Sequence, residues 1–245
     1  MAEAKSPMTI AFFGATGDCT GYCLARTLAS GISCRALART PSKLTASLNA
    51  KGVSPELLDS HLTIIEGNAK DVAAVNGIGG TQIIFTWNPL RPFTLSDPTI
   101  CQDAGATLLQ ALHELDPARK PALINVLTTG IAPSGIPSDL PFPYKILYPW
   151  LGHVMHEDKR VLQGRLVEHM RLPESQRALS SFTNVKPSLL FDGEAKGMRA
   201  TRQGVDEKPA VGYWINRADV GAWMAENLVN QDGKEWKNKG VTLTY

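Results

Sequence analysis

The stretch that decides the fold is Thr9-Ile10-Ala11-Phe12-Phe13-Gly14-Ala15-Thr16-Gly17-Asp18-Cys19-Thr20-Gly21, near the start of the chain. Its apolar half predicts a buried strand, and its second half predicts a tight glycine turn with a helix from about residue 20. Gly14 lets the chain leave the strand with an unrestricted φ, and Gly17 lets the backbone approach a pyrophosphate closely. The free N–H groups and the dipole of the following helix favour an anion. The stretch therefore predicts the opening of a nucleotide-binding β-α unit.

The spacing of these glycines is Gly-x-x-Gly-x-x-x-Gly, whereas the common dinucleotide fingerprint is Gly-x-Gly-x-x-Gly. Such a triplet is also compatible with a tight strand-to-helix turn that binds nothing. The position of the turn directly after a buried strand favours the nucleotide-binding interpretation. On that interpretation, the residues that face the cofactor phosphates are Gly14, Thr16, Gly17, Asp18, Cys19 and Thr20.

Strand and helix patterns alternate along the rest of the chain. Nearly continuous apolar runs predict strands, and apolar residues at helical spacing predict the helices between them. The expected strands are residues 32–38, 61–66, 82–87, 122–127, 181–186 and 241–245, and the expected longer helices are residues 20–30, 99–115, 151–170 and one from residue 220. This alternation predicts an α/β fold, a Rossmann-type doubly wound parallel sheet. No linker divides residues 1–245, so we expect a single domain.

The turn after the second strand carries the basic residues that bear on cofactor choice. In such sheets the ligand crevice lies outside the carboxyl ends of the strands, and NAD sites usually place an Asp or Glu at this turn. This chain instead has Arg39, Ser42 and Lys43, with a helix expected from Pro41. A guanidinium and an ammonium suit a 2′-phosphate, although a solvated basic turn is the alternative. We therefore expect NADP(H) to be preferred over NAD(H).

Other strand ends supply further candidate cofactor contacts. Asn68, followed by Ala69, has the donor and the acceptor needed at the adenine edge. Asp71, which follows, is expected only to cap a helix. The remaining expected contacts are Trp87 and Asn88 after the fourth strand, and Pro187 and Leu189 after the sixth.

Residues 131–150 are rich in proline, glycine and aromatic side chains. We expect an irregular segment up to residue 148, and a segment of this length is typical of a lid or a binding wall, or of packed irregular chain. With residues 187–215 it is expected to form a small C-terminal, substrate-facing portion. The side chains expected to contact the substrate are Arg91, Phe142, Tyr144 and Trp150, because aromatic rings offer flat apolar walls.

Composition excludes several functional classes. The chain has 245 residues, 43% of them hydrophobic, which is enough for one sizeable core, and its net charge of +2 is too small for a nucleic-acid or membrane surface. The four cysteines form no Cys-x-x-Cys pair and no histidines add zinc spacing, so we expect buried thiols and no metal. No signal peptide or apolar run of about 20 residues is visible. We expect a cytoplasmic protein with a small-molecule substrate, and the sequence leaves its oligomeric state open.

Five short motifs occur in series: Gly-Ala-Thr-Gly at 14–17, Thr-Thr-Gly at 128–130, His-Glu-Asp-Lys at 156–159, Lys-Pro-Ser-Leu-Leu at 186–190 and Asn-Arg-Ala-Asp-Val at 216–220. Together they resemble an atypical short-chain dehydrogenase/reductase, on the NmrA-like, NAD(P)H-binding side of that superfamily. The chain is also similar to biliverdin-IXβ-reductase and flavin-reductase-type members. The resemblance covers nearly the whole chain and rests on the series, because no single motif is specific.

The resemblance implies part of a catalytic site. In typical members a Tyr-x-x-x-Lys pair acts, in which the lysine binds the nicotinamide ribose and lowers the pKa of the tyrosine. Lys159 stands at the lysine position, but Met155 stands at the tyrosine position, and a thioether cannot transfer a proton. Thr128 or Thr129 fills the serine position after the fifth strand. The resemblance thus implies the cofactor half of the site without its usual acid.

Two other residue types are candidates for the missing acid. His156 lies three residues before Lys159 on a similar helix face, and imidazole titrates near neutrality. A capping or solvated role is the alternative for His156. Tyr148 in the adjoining segment is a weaker candidate. Asp158 is expected to interact with the start of its own helix.

Three functions remain open on these grounds. The first is an NADPH-dependent reductase of a small aromatic, quinone-like or conjugated carbonyl substrate. The second is an NADP(H)-binding regulator or sensor without turnover, as some NmrA-like proteins are. The third is a non-redox enzyme on the same fold, such as a dehydratase, isomerase or cyclase.

Overall fold

The computed structural model describes residues 9–77, 82–86, 97–151, 153–231 and 233–245. An eight-stranded sheet with the order β3-β2-β1-β4-β5-β6-β10-β8 forms its centre, and a two-stranded sheet of β7 and β9 lies apart from it in the hydrogen-bond pattern. The strands are β1 (Thr9–Phe13), β2 (Ser33–Ala38), β3 (Leu62–Glu66), β4 (Gln82–Thr86), β5 (Ala122–Val126), β6 (Ser181–Pro187), β7 (Leu189–Phe191), β8 (Arg202–Val205), β9 (Trp214–Asn216) and β10 (Lys239–Thr244).

The helices follow the strands in β-α alternation, as expected. They are α1 (Asp18–Ala29), α2 (Pro41–Ala50), α3 (Pro55–His61), α4 (Val72–Asn76), α5 (Ile100–Leu115), α6 (Phe142–Leu151), α7 (His153–Arg171) and α8 (Arg217–Met224). A π-helical segment (Ala225–Asn230) extends α8, and two 3-10 turns lie at Glu174–Gln176 and Lys234–Trp236. None of the helices within the described ranges has the length and apolar character needed to cross a membrane.

The sheet confirms the predicted fold class. Seven strands pair in parallel, and only β8, at the edge, runs antiparallel to its neighbour β10. Alternate residues of β1 enter two separate cores: Ile10 and Phe12 pack with α1, α2 and α8, while Ala11 and Phe13 pack with α5 and α7. Both faces of the sheet are therefore covered, which explains why the strands read as continuous apolar runs.

Two expectations about local structure are wrong. Residues 142–148 were expected to be irregular because of their prolines, but they belong to α6, which starts at Phe142. Pro143 falls in the first turn, where a missing backbone N–H breaks no helical hydrogen bond. The first helix begins at Asp18 rather than near Thr20, with Gly17 as its extended N-cap.

Helices α1 and α8 approach each other very closely, and Gly221 makes this possible. A Cβ at Gly221 would lie 2.5 Å from the Cβ of Tyr22 and 2.7 Å from the carbonyl oxygen of Cys19. Both atoms belong to the first half of α1. The packing of α8 therefore fixes the helix that carries the glycine turn.

We expect Gly221→Ala to lower the free energy of unfolding by about 1–3 kcal/mol, because the added methyl overpacks a backbone-to-backbone contact. Gly164→Ala is the matched control, since Gly164 is an exposed helical residue with no atom within 4 Å of an added Cβ. That change should stabilise the chain by up to about 1 kcal/mol through helix propensity. Chemical denaturation of both variants checks the prediction, which equal stability of Gly221→Ala and wild type would contradict.

Candidate cofactor and active site

The carboxyl ends of the parallel strands meet along one edge of the sheet. The chain reverses its direction of strand addition between β1 and β4, which are neighbours in the sheet. Crevices at such switch points are where doubly wound sheets bind ligands. The candidate site therefore lies outside the ends of β1, β2, β4 and β5.

The glycine turn after β1 has the geometry of an anion cradle. Gly14 has φ +67°, which an L side chain rarely adopts, and its carbonyl accepts a hydrogen bond from Gly17 N–H at 2.8 Å. The first-turn N–H groups of α1 are those of residues 18–20. Gly17, the N-cap residue, has no side chain that could accept a hydrogen bond from them. The start at Asp18 brings these groups closer to the turn than the sequence suggested.

Thr20 tests whether this turn fits a diphosphate. Its side chain is fully buried, and within the described part of the chain its hydroxyl oxygen has no hydrogen-bond partner. A buried hydroxyl without a partner is costly, and a bound phosphate oxygen would satisfy it. The donor set at the head of α1 thus fits a cofactor phosphate. Thr16 is exposed at the same turn, and only the backbone of Asp18 is described.

The end of β2 places the three basic-turn residues together. Arg39, Ser42 and Lys43 are all exposed, and α2 starts between them at Pro41. Neither a side-chain cap at Thr40 nor an acidic residue occupies the first turn of α2. The surface at this strand end is therefore cationic and rich in N–H groups, although its preference for a 2′-phosphate stays a prediction.

The turn after β3 is tightly built around Asn68. The Asn68 carboxamide oxygen accepts a hydrogen bond from Lys70 N–H at 3.1 Å, and Asp71 caps α4 by accepting from Ala73 N–H at 2.9 Å. Asp71 is thus a cap, as expected. Asn68 is exposed and Ala69 is buried beside it. The bond from Lys70 N–H thus engages the Asn68 carboxamide oxygen that was expected to contact the adenine edge of the cofactor.

Lys159 reaches the end of β5 from helix α7. Its Nζ donates a hydrogen bond to the Leu127 carbonyl at 3.2 Å, and the side chain is half-buried. Thr128 is half-buried and Thr129 is buried in the next two positions. Thr129 N–H donates to the Pro187 carbonyl at 3.1 Å, so the ends of β5 and β6 are joined. The structure therefore brings Lys159, both threonines and Pro187 to one strand end.

Asp158 orients α7 in a way that the sequence did not reveal. It was expected to act at the start of its own helix, but its carboxylate accepts hydrogen bonds from Cys101 and Gln102 N–H at 2.9 and 3.0 Å. These N–H groups begin α5, so Asp158 caps a neighbouring helix. The pairing fixes α7 against α5 and presents the next residue, Lys159, to β5.

The two candidates for the missing acid, His156 and Tyr148, lie on the neighbouring helices α7 and α6. His156 is buried, which excludes the solvated role considered for it. Met155 is half-buried one turn before Lys159. Tyr148 and Trp150 lie in α6, where only their backbone is described. Trp87, Asn88 and Arg91 lie outside the described residues.

The two segments expected on the substrate side contact each other through aromatic rings. Tyr144 of α6 meets Tyr213 edge to face with ring centroids 5.5 Å apart, and Tyr213 lies 6.0 Å from Trp214. Trp214 is in register with Leu189 of β7, and both are about half exposed. Phe142 is 74% exposed and projects into solvent. An exposed apolar row therefore begins just past the end of β6.

Beside this site lies a buried cluster of charged side chains that the sequence did not predict. Lys186 is fully buried in β6 and donates to the Asp206 carboxylate at 2.8 Å. Asp139 is buried nearby and accepts from Gly130 N–H at 2.9 Å. Burial, followed by smaller opposing contributions, raises the pKa of the Asp139 carboxyl. The available signal was a lysine within a segment, residues 181–186, that the sequence predicted to be a strand of a sheet covered on both faces.

The four cysteines are buried free thiols, as expected. Burial raises the pKa of the Cys34 and Cys101 thiols to about 12, so neither is a thiolate at neutral pH. Within the described residues no group of acidic, cysteine or histidine side chains has the arrangement of a metal site. These thiols fill the core rather than the site.

Comparison with known proteins places this fold and site in a family. The chain is 42% identical to the reductase pytE of Aspergillus terreus, over 99% of this chain and 100% of that protein. It is 34% identical to the oxidase pynE of Aspergillus niger, over 98% and 99%. The chain therefore belongs to the same family as these two proteins.

A solved structure agrees at the level of the fold. A short-chain dehydrogenase/reductase from Veillonella parvula in complex with NADP superposes with a TM-score of 0.69 and 16% identity, over 97% of this chain and 94% of that one. No protein-family model matches the chain. The resemblance inferred from the five motifs is thereby confirmed at the level of the fold, which is that of a short-chain dehydrogenase/reductase.

Proposed function

We propose that this protein is an NADPH-dependent reductase of a small aromatic, quinone-like or conjugated carbonyl substrate. The observation that carries the proposal is the convergence at one sheet edge of an uncapped glycine-turn helix, an acid-free basic turn and the Lys159 ammonium. Its two relatives, a reductase and an oxidase, support redox chemistry. Their names differ in the direction of electron transfer, so the reductive direction follows the more similar relative.

The turns at successive strand ends would each bind a different part of the cofactor. Residues 14–20 would hold the diphosphate, with the Thr20 hydroxyl as an additional partner. The 2′-phosphate would lie on Arg39, Ser42 and Lys43, and the adenine beside Asn68 and Ala69. Within the described contacts, Lys159 has two N–H groups beyond its bond to Leu127, and these would bind the nicotinamide ribose. Trp87, Asn88, Pro187 and Leu189 complete the expected contacts.

The bound cofactor would supply the hydride, and the chain positions the substrate and provides the proton. Thr128 and Thr129, at the end of β5, would hydrogen-bond the substrate oxygen. Met155 cannot donate a proton, so His156 remains the candidate acid on α7. Precise positioning by itself supplies a large part of the rate in such transfers.

The apolar row defines the substrate class within this proposal. Tyr144, Tyr213 and Trp214 present adjoining rings, and Leu189 lies in register with Trp214. Exposed aromatic side chains in contact with one another favour a flat, apolar ligand. A conjugated ring system fits this row better than a sugar or an amino acid would.

The absence of tyrosine at position 155 favours one alternative, an NADP(H)-binding regulator that does not turn over. Purified protein should consume NADPH in the presence of at least one member of a panel of quinones, enones and aromatic ketones. If the protein bound NADPH but consumed none with any member of the panel, the reductase hypothesis would be refuted and the regulator hypothesis would be favoured. Conversion of a ligand without any change in nicotinamide absorbance would indicate the non-redox enzyme.

Cofactor preference gives a direct test of the basic turn. We expect Arg39→Asp to weaken NADPH binding about 10–100-fold, because a charge-assisted hydrogen bond to a dianion is lost and a repulsion is added. NADH binding should change by less than about threefold, since NADH lacks the 2′-phosphate. Titration calorimetry with both cofactors measures this. Arg119→Asp, in the exposed turn before β5 at the other end of the sheet, is the charge-matched control. An equal loss for both cofactors would refute the assignment.

A further inference from the structure

The Asp139 carboxyl is poorly satisfied for a group so deeply buried. The residue is 3% exposed, and its Oδ1 accepts the Gly130 N–H at 2.9 Å. Its Oδ2 is buried and has no hydrogen-bond partner within the residues that the structure describes. Buried carboxylate oxygens are normally paired, so this one calls for an explanation in terms of function.

The surroundings of Asp139 hold one positive and one negative charge. The Lys186 ammonium of β6, itself fully buried, lowers the pKa of Asp139, and the Asp206 carboxylate after β8 raises it. Burial is the largest cause, and the net direction is upward. Asp206 fits here because Gly240 opposite it has no side chain; a Cβ there would lie 2.3 Å from a carboxylate oxygen. The cluster is therefore a built feature of three chain segments.

This cluster lies directly behind the threonines of the candidate site. Gly130 follows Thr128 and Thr129 and has φ +85°, a left-handed conformation that glycine adopts readily. The turn is held on one side by the bond from Thr129 N–H to the Pro187 carbonyl. Asp139 holds it on the other side. Loss of the Asp139 bond would leave the turn tethered, among the described contacts, by the two bonds from Thr129 to the Pro187 carbonyl and by the Lys159 bond to the Leu127 carbonyl.

We propose that Asp139, which accepts the Gly130 N–H near the Lys186–Asp206 ion pair, is a positioning residue that fixes the Thr128 and Thr129 hydroxyls for catalysis. The inference rests on the reductase proposed above. Asp139 acts through Gly130 and need not touch the substrate. A carboxylate accepts the Gly130 N–H more strongly than a neutral carboxyl does, so the turn is held more firmly as Asp139 ionises.

Two substitutions separate the hydrogen bond from the charge. Asp139→Ala removes the acceptor, and we expect kcat to fall about 10–100-fold with NADPH affinity within about twofold of wild type. Asp139→Asn keeps an oxygen for Gly130, so kcat should recover to within about threefold of wild type. Because asparagine cannot ionise, the rise of kcat with pH that Asp139 contributes should be absent in Asp139→Asn.

Asn238→Ala is the control for loss of stability. Asn238 accepts the Phe182 N–H at 3.1 Å at the amino end of β6, far along the strand from Lys186, and has φ +58°. Its substitution should destabilise the chain and leave kcat unchanged. Wild-type kcat in Asp139→Ala, or an equal fall in Asp139→Asn and Asp139→Ala, would overturn the positioning role.

A second readout does not need turnover. The amide resonance of Gly130 should shift with pH in the wild type as Asp139 titrates, and it should not do so in Asp139→Asn. A Gly130 resonance that is insensitive to pH in the wild type, or equally sensitive in both proteins, would overturn the inference. Absence of turnover in the wild type would instead refute the reductase, while the Gly130 titration would still decide whether Asp139 controls the turn.

Discussion

Replacing Asp206 by alanine is expected to cost about 3–5 kcal/mol of unfolding free energy, and replacing Lys186 by methionine is expected to cost less, about 1–3 kcal/mol. The asymmetry follows from burial. The Lys186 side chain is fully buried, so removal of Asp206 leaves an ammonium without its ion-pair partner in the interior. The Asp206 side chain keeps 21% exposure, so water can hydrate the carboxylate that Lys186→Met leaves behind.

The double variant Lys186→Met/Asp206→Ala should be more stable than Asp206→Ala alone, because neither charge then remains buried without a partner. Urea denaturation of the three variants at one fixed pH measures these differences. Glu168→Ala, which breaks an exposed pair with Arg171, is the surface control and should change stability by less than about 0.5 kcal/mol. A greater cost for Lys186→Met than for Asp206→Ala would contradict the assignment of the ion pair as the main partner of Lys186.

The Lys186–Asp206 ion pair should also shift the pKa of the Asp139 carboxyl. Because Asp206 raises the pKa of Asp139, its removal should move the Gly130 titration to lower pH. The raised pKa means that the folded state binds the Asp139 proton more tightly than the unfolded state does. Its contribution to stability is therefore complete below the unfolded pKa of aspartate and is lost as pH rises through the folded pKa. Asp139→Asn should lack this decline.

Lys159→Met should lower kcat/KM about 100-fold or more, because it removes the ammonium at the point where the cofactor ribose and the substrate oxygen are expected to meet. NADPH affinity should fall about 10–100-fold with the loss of a charge-assisted hydrogen bond. The fold should survive, since within the described contacts Lys159 makes one bond, to the Leu127 carbonyl, from a half-buried position. Stopped-flow kinetics and fluorescence titration with NADPH provide the measurements.

Arg160→Met is the matched control for this change. Arg160 is the next residue on α7, is exposed and pairs with Glu157 at the helix surface. Its substitution should leave kcat/KM and cofactor affinity within about twofold of wild type, since an exposed pair contributes little. If Lys159→Met bound and consumed NADPH like the wild type, Lys159 would serve only to tie α7 to β5.

The strand and helix pattern was predictable because each element carries its own periodicity. The inner faces of two helices show this spacing: Cys23, Leu24, Thr27 and Leu28 of α1 are fully buried, as is Val220 in α8. Edge elements were not predictable to the same degree. Strand β8, with its residues half-buried to exposed, has no apolar run, and α6 was hidden by its prolines.

The sequence predicted candidate site residues mainly at the ends of strands. The glycine turn and the basic turn could be placed because parallel strands deliver their carboxyl ends to one edge, whereas Lys159 was placed by the resemblance to the Tyr-x-x-x-Lys pair. Contacts between distant segments could not be read in this way. Asp158 bonds the start of α5, and Asp139 bonds Gly130 across a turn.

The sequence by itself determined the class of sheet, since this follows from local periodicity. It also predicted a phosphate-binding turn and, through the family resemblance, a site without the usual tyrosine. Only the tertiary structure decided which buried charges face each other. Lys186, Asp206 and Asp139 come from separate segments, and burial gives their charges an energetic weight that exposed charges lack. The turn that opens the chain predicts what the protein binds. The cluster behind Thr129 is where the structure adds a hypothesis about how it acts.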